Sequence, residues 1–330
     1  LAASERNAFI IGTGSYLPEK VLTNADLEKM VDTSDEWITT RTGIKERRIA
    51  APQEPTSLLA SRAAQSALKD AGIGAEKIEM IIVGTFTGDM PMPATACLVQ
   101  KNIGAPRAAA FDISAACSGF VYGLSVARSF VVSGSYDCIL VIACEKLSSV
   151  TDWTDRDTCV LFGDGAGAAV VSSEGQGPRI IGDYLAADGS IYELLFMPGG
   201  GSLHPCSHDS VDQKLHFVKM LGSKVFKYAI NSMVEAASTL IERHGLSAED
   251  IRMLVPHQAN MRIITEVGRH LGIPEERIHI NVQKYGNMSA ATTAVGMDEA
   301  IRSNDFTPGD KILVVAFGGG FTWGAVLLEW

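Results

Sequence analysis

Short runs that are apolar throughout alternate along this chain with stretches whose apolar residues recur every three or four positions. Strands are expected at residues 8–11, 78–84, 108–111, 138–144, 158–162 and 168–171, with Gly12 and Gly14 ending the first. Helices are expected at residues 56–71, with Gly72 as the stop, and at 94–102. Residues 87–93 (TGDMPMP) must form a loop, because Pro91 and Pro93 forbid regular structure. The polar section 32–48 fits a helix and loop at the surface, where Trp37 caps a small cluster or, beside Arg41, offers a place for a ring and phosphates.

The pattern occurs twice. Residues 72–83 (GIGAEKIEMIIV) match 245–256 (GLSAEDIRMLVP), and FGDG at 162–165 echoes FGGG at 317–320. The strand and helix around Cys117 are echoed by a strand at 278–282 and the stretch 285–297 (YGNMSAATTAVGM). A period of half the chain implies two similar halves, 1–174 and 175–330, each α/β with a mostly parallel sheet. The residue facing Cys117 in the second half lies near Asn287.

Within 112–124 (DISAACSGFVYGL), the end of a buried strand turns through Ala115 and Ala116 into Cys117. Beyond it, Phe120, Val121, Leu124, Ala127 and Val131 fall at helical spacing, with Gly134 as the stop. Cys117 therefore belongs near a helix N-terminus, where unpaired N–H groups and the macrodipole lower a thiol's pKa. Taken alone, a free cysteine is more often a small buried hydrophobe. His257 follows a buried strand and precedes a helix at 262–271, and Asn287 sits in a glycine turn. Singly, each fits a structural role. Jointly, Cys, His and Asn all fall at carboxyl ends of strands, where open α/β folds place their sites.

Composition narrows the field. The 330 residues are 46% hydrophobic and 20% charged, enough to bury a sizeable core. A net charge of −10 argues against general nucleic-acid binding. The longest apolar runs are too short to span a bilayer, and the opening LAASERNAFI has no basic-then-apolar pattern, so neither a membrane nor a leader is expected. The six dispersed cysteines point to reduced thiols and a cytoplasmic location. GDGAG at 163–167 lacks the GxGxxG spacing and precedes a strand; its glycines are expected to allow a close backbone pass or a tight turn rather than to hold a dinucleotide. His204, Cys206 and His208 match no zinc spacing, so no metal is expected.

DTSDEWITTRTGIKERR at 32–48, the Cys117 segment, FGDGAGA, PHQAN, YGNMSAATT and FGGGFTWG together resemble the β-ketoacyl-acyl-carrier-protein synthase III family, the initiating condensing enzymes of type II fatty acid synthesis. The likeness covers nearly the whole chain. It implies a thiolase-like fold in five layers, αβαβα, and a Cys117-His257-Asn287 triad in which Cys117 accepts an acyl group from acyl-CoA. The acylated enzyme would condense with malonyl-acyl carrier protein, His257 and Asn287 donating to the enolate oxygen. The backbone N–H groups of Cys117 and Gly319 would form the oxyanion hole.

For the CoA tunnel, the resemblance implies Trp37 and Arg156 about the adenine, Arg41 near the phosphates, and Gly222, Phe226 and Asn260 along the pantetheine. Phe162, Phe317 and Met92 would shape the acyl pocket, Met92 reaching in from the partner of a homodimer. Lys227, Arg262 and Arg269 would dock the acidic carrier protein, the last two sharing a helix face. No permanently bound cofactor is implied, and short starters such as acetyl are expected. A polyketide or alkylquinolone starter enzyme and a non-catalytic condensing subunit are the alternatives; the latter would lack the nucleophile.

Overall fold

The computed structural model describes residues 6–330; residues 1–5, within the opening stretch where no leader is expected, lie outside it. Nine strands form one sheet: β1 (Phe9–Tyr16), β2 (Met80–Gly84), β3 (Ala109–Ile113), β4 (Cys138–Lys146), β5 (Asp164–Ser172), β6 (Arg179–Ala187), β7 (Ile251–Pro256), β8 (Lys311–Gly318) and β9 (Thr322–Glu329). Their order is β7-β8-β9-β6-β1-β5-β4-β2-β3. Apart from the edge strand β3 it is a palindrome, since β7, β8, β9 and β6 in the second half stand where β2, β4, β5 and β1 stand in the first. The halves meet where β1 pairs with β6 at Phe9↔Arg179.

The principal helices are α1 (Asp35–Thr42), α2 (Thr56–Ala71), α3 (Thr95–Ile103), α4 (Gly119–Val132), α5 (Gly222–Arg243), α6 (Met261–Leu271) and α7 (Ala291–Ser303). Alternation along the strands sorts them into layers. In β2, Ile81 and Val83 face the cluster built on α2, while Met80 and Ile82 face α4 and α7. In the second half, Val255, Val314 and Val326 face that same middle layer, and Leu254, Leu313 and Leu327 face α5 and α6. The result is five layers, with α4 and α7 fully enclosed between two sheet halves.

Several expectations change. The sheet is mixed, parallel only at β7/β8, β4/β2 and β2/β3, because β8 and β9 form a hairpin and β4 reaches β5 without a crossover helix across the sheet. The first strand runs on through Gly12 and Gly14. Those glycines admit α2: a Cβ on Gly14 would lie 2.3 Å from the Ala67 nitrogen. Residues 158–162 are not a strand; Arg156–Cys159 is a single helical turn, capped by Asp155. The strand expected at 278–282 reduces to one bridge, Leu254↔Ile278, before the turn Val282–Tyr285. The strand leading to Cys117, β3, is a half-exposed sheet edge and not buried. GDGAG allows a close pass, with α7 crossing so near that a Cβ on Gly167 would lie 2.5 Å from that of Ala294.

Candidate active site

Cys117 lies in the single 3-10 turn Ala116–Ser118 that feeds α4. Ala116, just before it, holds a left-handed backbone (φ 44°), unusual for a residue with a Cβ. The turn is strapped to the other half of the molecule. Ser118 Oγ donates to the Thr322 carbonyl at 3.0 Å, and Thr322 Oγ1 donates to the Ala115 carbonyl at 2.9 Å. Gly318 presses on the nucleophile, since a Cβ there would sit 2.5 Å from the Cys117 nitrogen.

The turn at Asn287 is strapped in the opposite sense. Its N–H donates to the Leu161 carbonyl at 2.8 Å, and its own carbonyl accepts from Gly163 N–H at 3.0 Å. Ser289, also left-handed (φ 50°), donates its N–H to Asn287 Oδ1 at 2.8 Å. With Oδ1 occupied, the Asn287 amide is left with its NH₂ to offer the cavity.

His257 follows β7, its N–H bonded to the Val315 carbonyl at 2.8 Å. Gln258, fully buried, donates to the carbonyls of Pro256 and His279 and accepts the N–H groups of Asn281 and Val282. It ties the His257 loop to the segment that carries Asn287.

These residues meet at one cavity of about 1290 Å³, whose walls include Cys117, His257, Asn287, Gly319, Phe162 and Phe317. Gly222, Phe226 and Asn260 line it farther out, with Arg41 and Arg262. Phe317 packs edge-on to Phe321, with ring centres 4.7 Å apart. Asn260 caps α6 and donates Nδ2 to the Arg41 carbonyl at 3.0 Å, joining α1 to α6. Arg41 and Arg156 both stand over the Trp37 ring, at 4.7 and 4.8 Å from its centre. A base between Trp37 and Arg156 needs about 7 Å, twice the van der Waals spacing, so that slot is shut and Arg156 must swing aside to admit an adenine. Arg262 stands 5.4 Å over Phe226.

Other expected residues lie apart. Met92 is 83% exposed on its loop and does not line the cavity. Lys227 projects to solvent from α5. Arg269 is also away from the cavity and is engaged by Glu266 at 2.8 Å. Among the described residues no cluster of His, Cys, Asp and Glu is built to hold a metal, and no helix is long and apolar enough to cross a membrane.

The electrostatics depart from expectation. Burial pushes the Cys117 thiol up to about 12, against a smaller opposite pull from the Ser289 hydroxyl. The helix start does not by itself make a thiolate here. Burial likewise lowers His257 to about 3, so its imidazole is neutral. Behind the nucleophile lies Glu145, fully buried and raised to about 8. It accepts from Thr85 Oγ1 at 3.1 Å and Phe86 N–H at 3.2 Å, from Thr87, and from Ser289 Oγ at 3.5 Å.

The sequence pattern alone does not mark Glu145, Arg47 or Thr292, whose Oγ1 lies 2.6 Å from His257 Nδ1. Arg47 is fully buried, donating to the carbonyls of Leu22 and Val160 and to Asn24 Oδ1. A charged residue inside an otherwise apolar run, as Glu145 is at the end of 138–146, is the signal that was available.

Fold and cavity together define a thiolase-like condensing enzyme. Residues 111–189 and 241–330 match the two parts of the family described as 3-Oxoacyl-[acyl-carrier-protein (ACP)] synthase III. The chain is 56% identical over 323 residues to a beta-ketoacyl-[acyl-carrier-protein] synthase III of Caldanaerobacter subterraneus subsp. tengcongensis, covering 98% of each. It is 49% identical to the synthase of that name in Clostridioides difficile, again over 98% of each. Among solved structures, 3-oxoacyl-[acyl-carrier-protein] synthase III of Aquifex aeolicus superposes with a TM-score of 0.90 at 48% identity, covering 98% of this chain and 100% of that one. A priming β-ketosynthase of the R1128 polyketide pathway superposes equally well at 35% identity, covering 100% and 98%. The chain belongs to the β-ketoacyl-acyl-carrier-protein synthase III family.

Proposed function

We propose that the protein condenses a short acyl-CoA with malonyl-acyl carrier protein, releasing CoA and CO₂ and starting fatty acid synthesis. One observation carries this reading: Cys117 from the first half, and His257 and Asn287 from the second, line a single cavity of about 1290 Å³, large enough in volume for an acyl-pantetheine arm. Cys117 attacks the thioester, and the backbone N–H groups of Cys117 and Gly319 hold the oxyanion. Loss of CO₂ from the malonyl group then makes an enolate, which the Asn287 amide and His257 stabilise while it attacks the acyl-Cys117 carbonyl; the thioester C–S bond breaks, and Cys117 leaves as a thiolate that takes up a proton from solvent.

Arg41 on the cavity wall, with Trp37 and Arg156 beside it, would take the nucleotide end of CoA, and Gly222, Phe226 and Asn260 the pantetheine. Lys227 and Arg262 would meet the acidic carrier protein, with Arg269 at the periphery. The enzyme would work in the cytoplasm as a homodimer, Met92 of one copy closing the acyl pocket of the other. Identity of 56% to a beta-ketoacyl-[acyl-carrier-protein] synthase III, against 35% to the polyketide priming ketosynthase, favours the fatty acid pathway.

Intact mass measurement tests this. Wild type incubated with acyl-CoAs of increasing length gains an acyl mass on Cys117 that malonyl-carrier protein chases to a β-ketoacyl product. Cys117→Ala gains none, and condensation falls by at least about 10³-fold. No adduct on the wild type with any acyl-CoA would sink the reading.

A further inference from the structure

The Glu145 carboxyl is fully buried behind the nucleophile, and every hydrogen-bond partner it has among the described residues is neutral. Its Oε2 accepts from Thr85 Oγ1 at 3.1 Å, from Thr87 N–H at 3.1 Å and from Thr87 Oγ1. Oε1 accepts from Phe86 N–H at 3.2 Å and, more loosely, from Ser289 Oγ at 3.5 Å. Ser289 is itself buried, and its hydroxyl also reaches the Cys117 sulfur. One rotating hydroxyl thus stands between a buried thiol and a buried carboxyl. Hydrogen bonds that carry protons in catalysis are often long until substrate binds.

Burial pushes up both acids, the thiol to about 12 and the carboxyl to about 8, and the charge of Glu145 adds to the rise of the thiol. Two negative charges this close in a buried site are unfavourable, so the pair carries one at most. Ionising the thiol alone would create a charge there. Handing its proton to the Glu145 carboxylate only moves a charge already present.

We infer that Glu145, reached through the Ser289 hydroxyl, is the proton acceptor that converts the Cys117 thiol to a thiolate. The steps that follow deepen the proposed function and rest on it. In acylation the Sγ–H proton passes to Ser289 Oγ as the Ser289 proton passes to Glu145 Oε1, and Sγ bonds to the acyl carbon. The bond from that carbon to the CoA sulfur breaks, and the CoA thiolate takes a proton from solvent. Glu145 holds its proton while Cys117 is acylated. When condensation frees Cys117 as a thiolate, Glu145 returns that proton by the same path, and solvent supplies it only where the path is cut.

Other ionisable groups nearby are engaged or neutral. Cys144, next to Glu145 in β4, is held protonated by burial. Lys146 turns away to the carbonyls of Ala51 and Glu54. Asp89 is held by Ser57, and Asp164 by Ser148 and Ala50. His257, on the cavity wall, is neutral.

Alkylation of Cys117 by iodoacetamide tests this with neither CoA nor carrier protein present. Rates are read by peptide mass spectrometry over the range of about pH 6–10, with exposed Cys97 as the control in the same chain. The wild-type rate at Cys117 is expected to rise with the ionisation of Glu145 and level off, well below the pH at which the thiol ionises unaided. Glu145→Gln and Ser289→Ala are each expected to lose that rise and to react on the order of 10²-fold more slowly on the plateau, with Cys97 unchanged. A carboxylate that merely repelled the thiolate would act in the opposite direction. Glu145→Gln would then alkylate faster, and that result overturns the inference, as does a Ser289→Ala variant with the wild-type profile. Should Glu145→Gln fail to fold, Ser289→Ala decides. A wild type with the expected alkylation profile that gains no acyl mass from any acyl-CoA would remove the condensing function and leave the proton acceptor of the thiol in place.

Discussion

The Cys117 and Asn287 turns occupy related places in the two halves, and each is held by the half to which it does not belong. Thr322 straps the first, and Leu161 and Gly163 strap the second. Both contain one left-handed residue with a side chain, Ala116 in one and Ser289 in the other. They differ in what they offer the cavity. The first presents a thiol beside a crowded backbone, and the second presents an amide and, through Thr292, an oriented imidazole. One backbone device has been filled with a nucleophile on one side and with hydrogen-bonding groups on the other. The reciprocal straps mean that neither turn has its working geometry without the opposite half.

That division of labour can be broken in stages. Asn287→Ala, on the donor side, should lower condensation by about 10²–10³-fold while leaving acylation of Cys117 near the wild-type rate. Single-turnover acylation followed by a malonyl chase separates the two, and equal losses in both would contradict the division. Gly318→Ala should disturb the nucleophile side alone. Its Cβ would meet the Cys117 backbone, costing roughly 1–3 kcal/mol and most of the acylation rate. Denaturant midpoints and adduct formation check it.

A subtler contrast lies in pH. His257, lowered from 6.5 to about 3, is neutral in the fold while the unfolded chain takes up a proton below 6.5. Its share of stability therefore rises with pH across that window and is lost on acidification. Glu145, raised from 4.5 to about 8, keeps its proton in the fold, so its share falls as pH rises from 4.5 to about 8. Each slope is at most about 1.4 kcal/mol per pH unit, and they oppose one another where the windows overlap. Glu145→Gln should flatten the fall above pH 6.5, and His257→Gln the loss below pH 4.5; denaturation across that range would show unchanged slopes if the assignment is wrong. The smallest effect is expected from Ala116→Gly. Relief of the left-handed alanine, about 1–2 kcal/mol, is partly offset by glycine's entropy, leaving a gain of up to about 1 kcal/mol in thermal or denaturant midpoint.

The sequence already revealed much of this. Helix α2 runs over the expected residues, Thr56–Ala71, because its periodicity and Gly72 are local signals. His257 and Asn287 could be placed near Cys117 because the repeat brings two strand ends together. What escaped notice depends on contacts far along the chain. Gly12 and Gly14 look like strand breakers until α2 is seen lying on them. The thiol's environment could not be read from its helix start, because the desolvation comes from walls supplied by the second half. Thr292 looked like one more small residue in YGNMSAATT, and only the 2.6 Å contact to His257 gives it a role.

The placement of β1 also bears on how the chain folds as it is made. Strand β1 leaves the ribosome well before the strands that hold it, β5 and β6, with Phe9 opposite both Ser172 and Arg179. At typical synthesis rates its partners emerge roughly 10–30 s later. An apolar strand must wait that long with both edges open, which makes β1 a natural client for a chaperone.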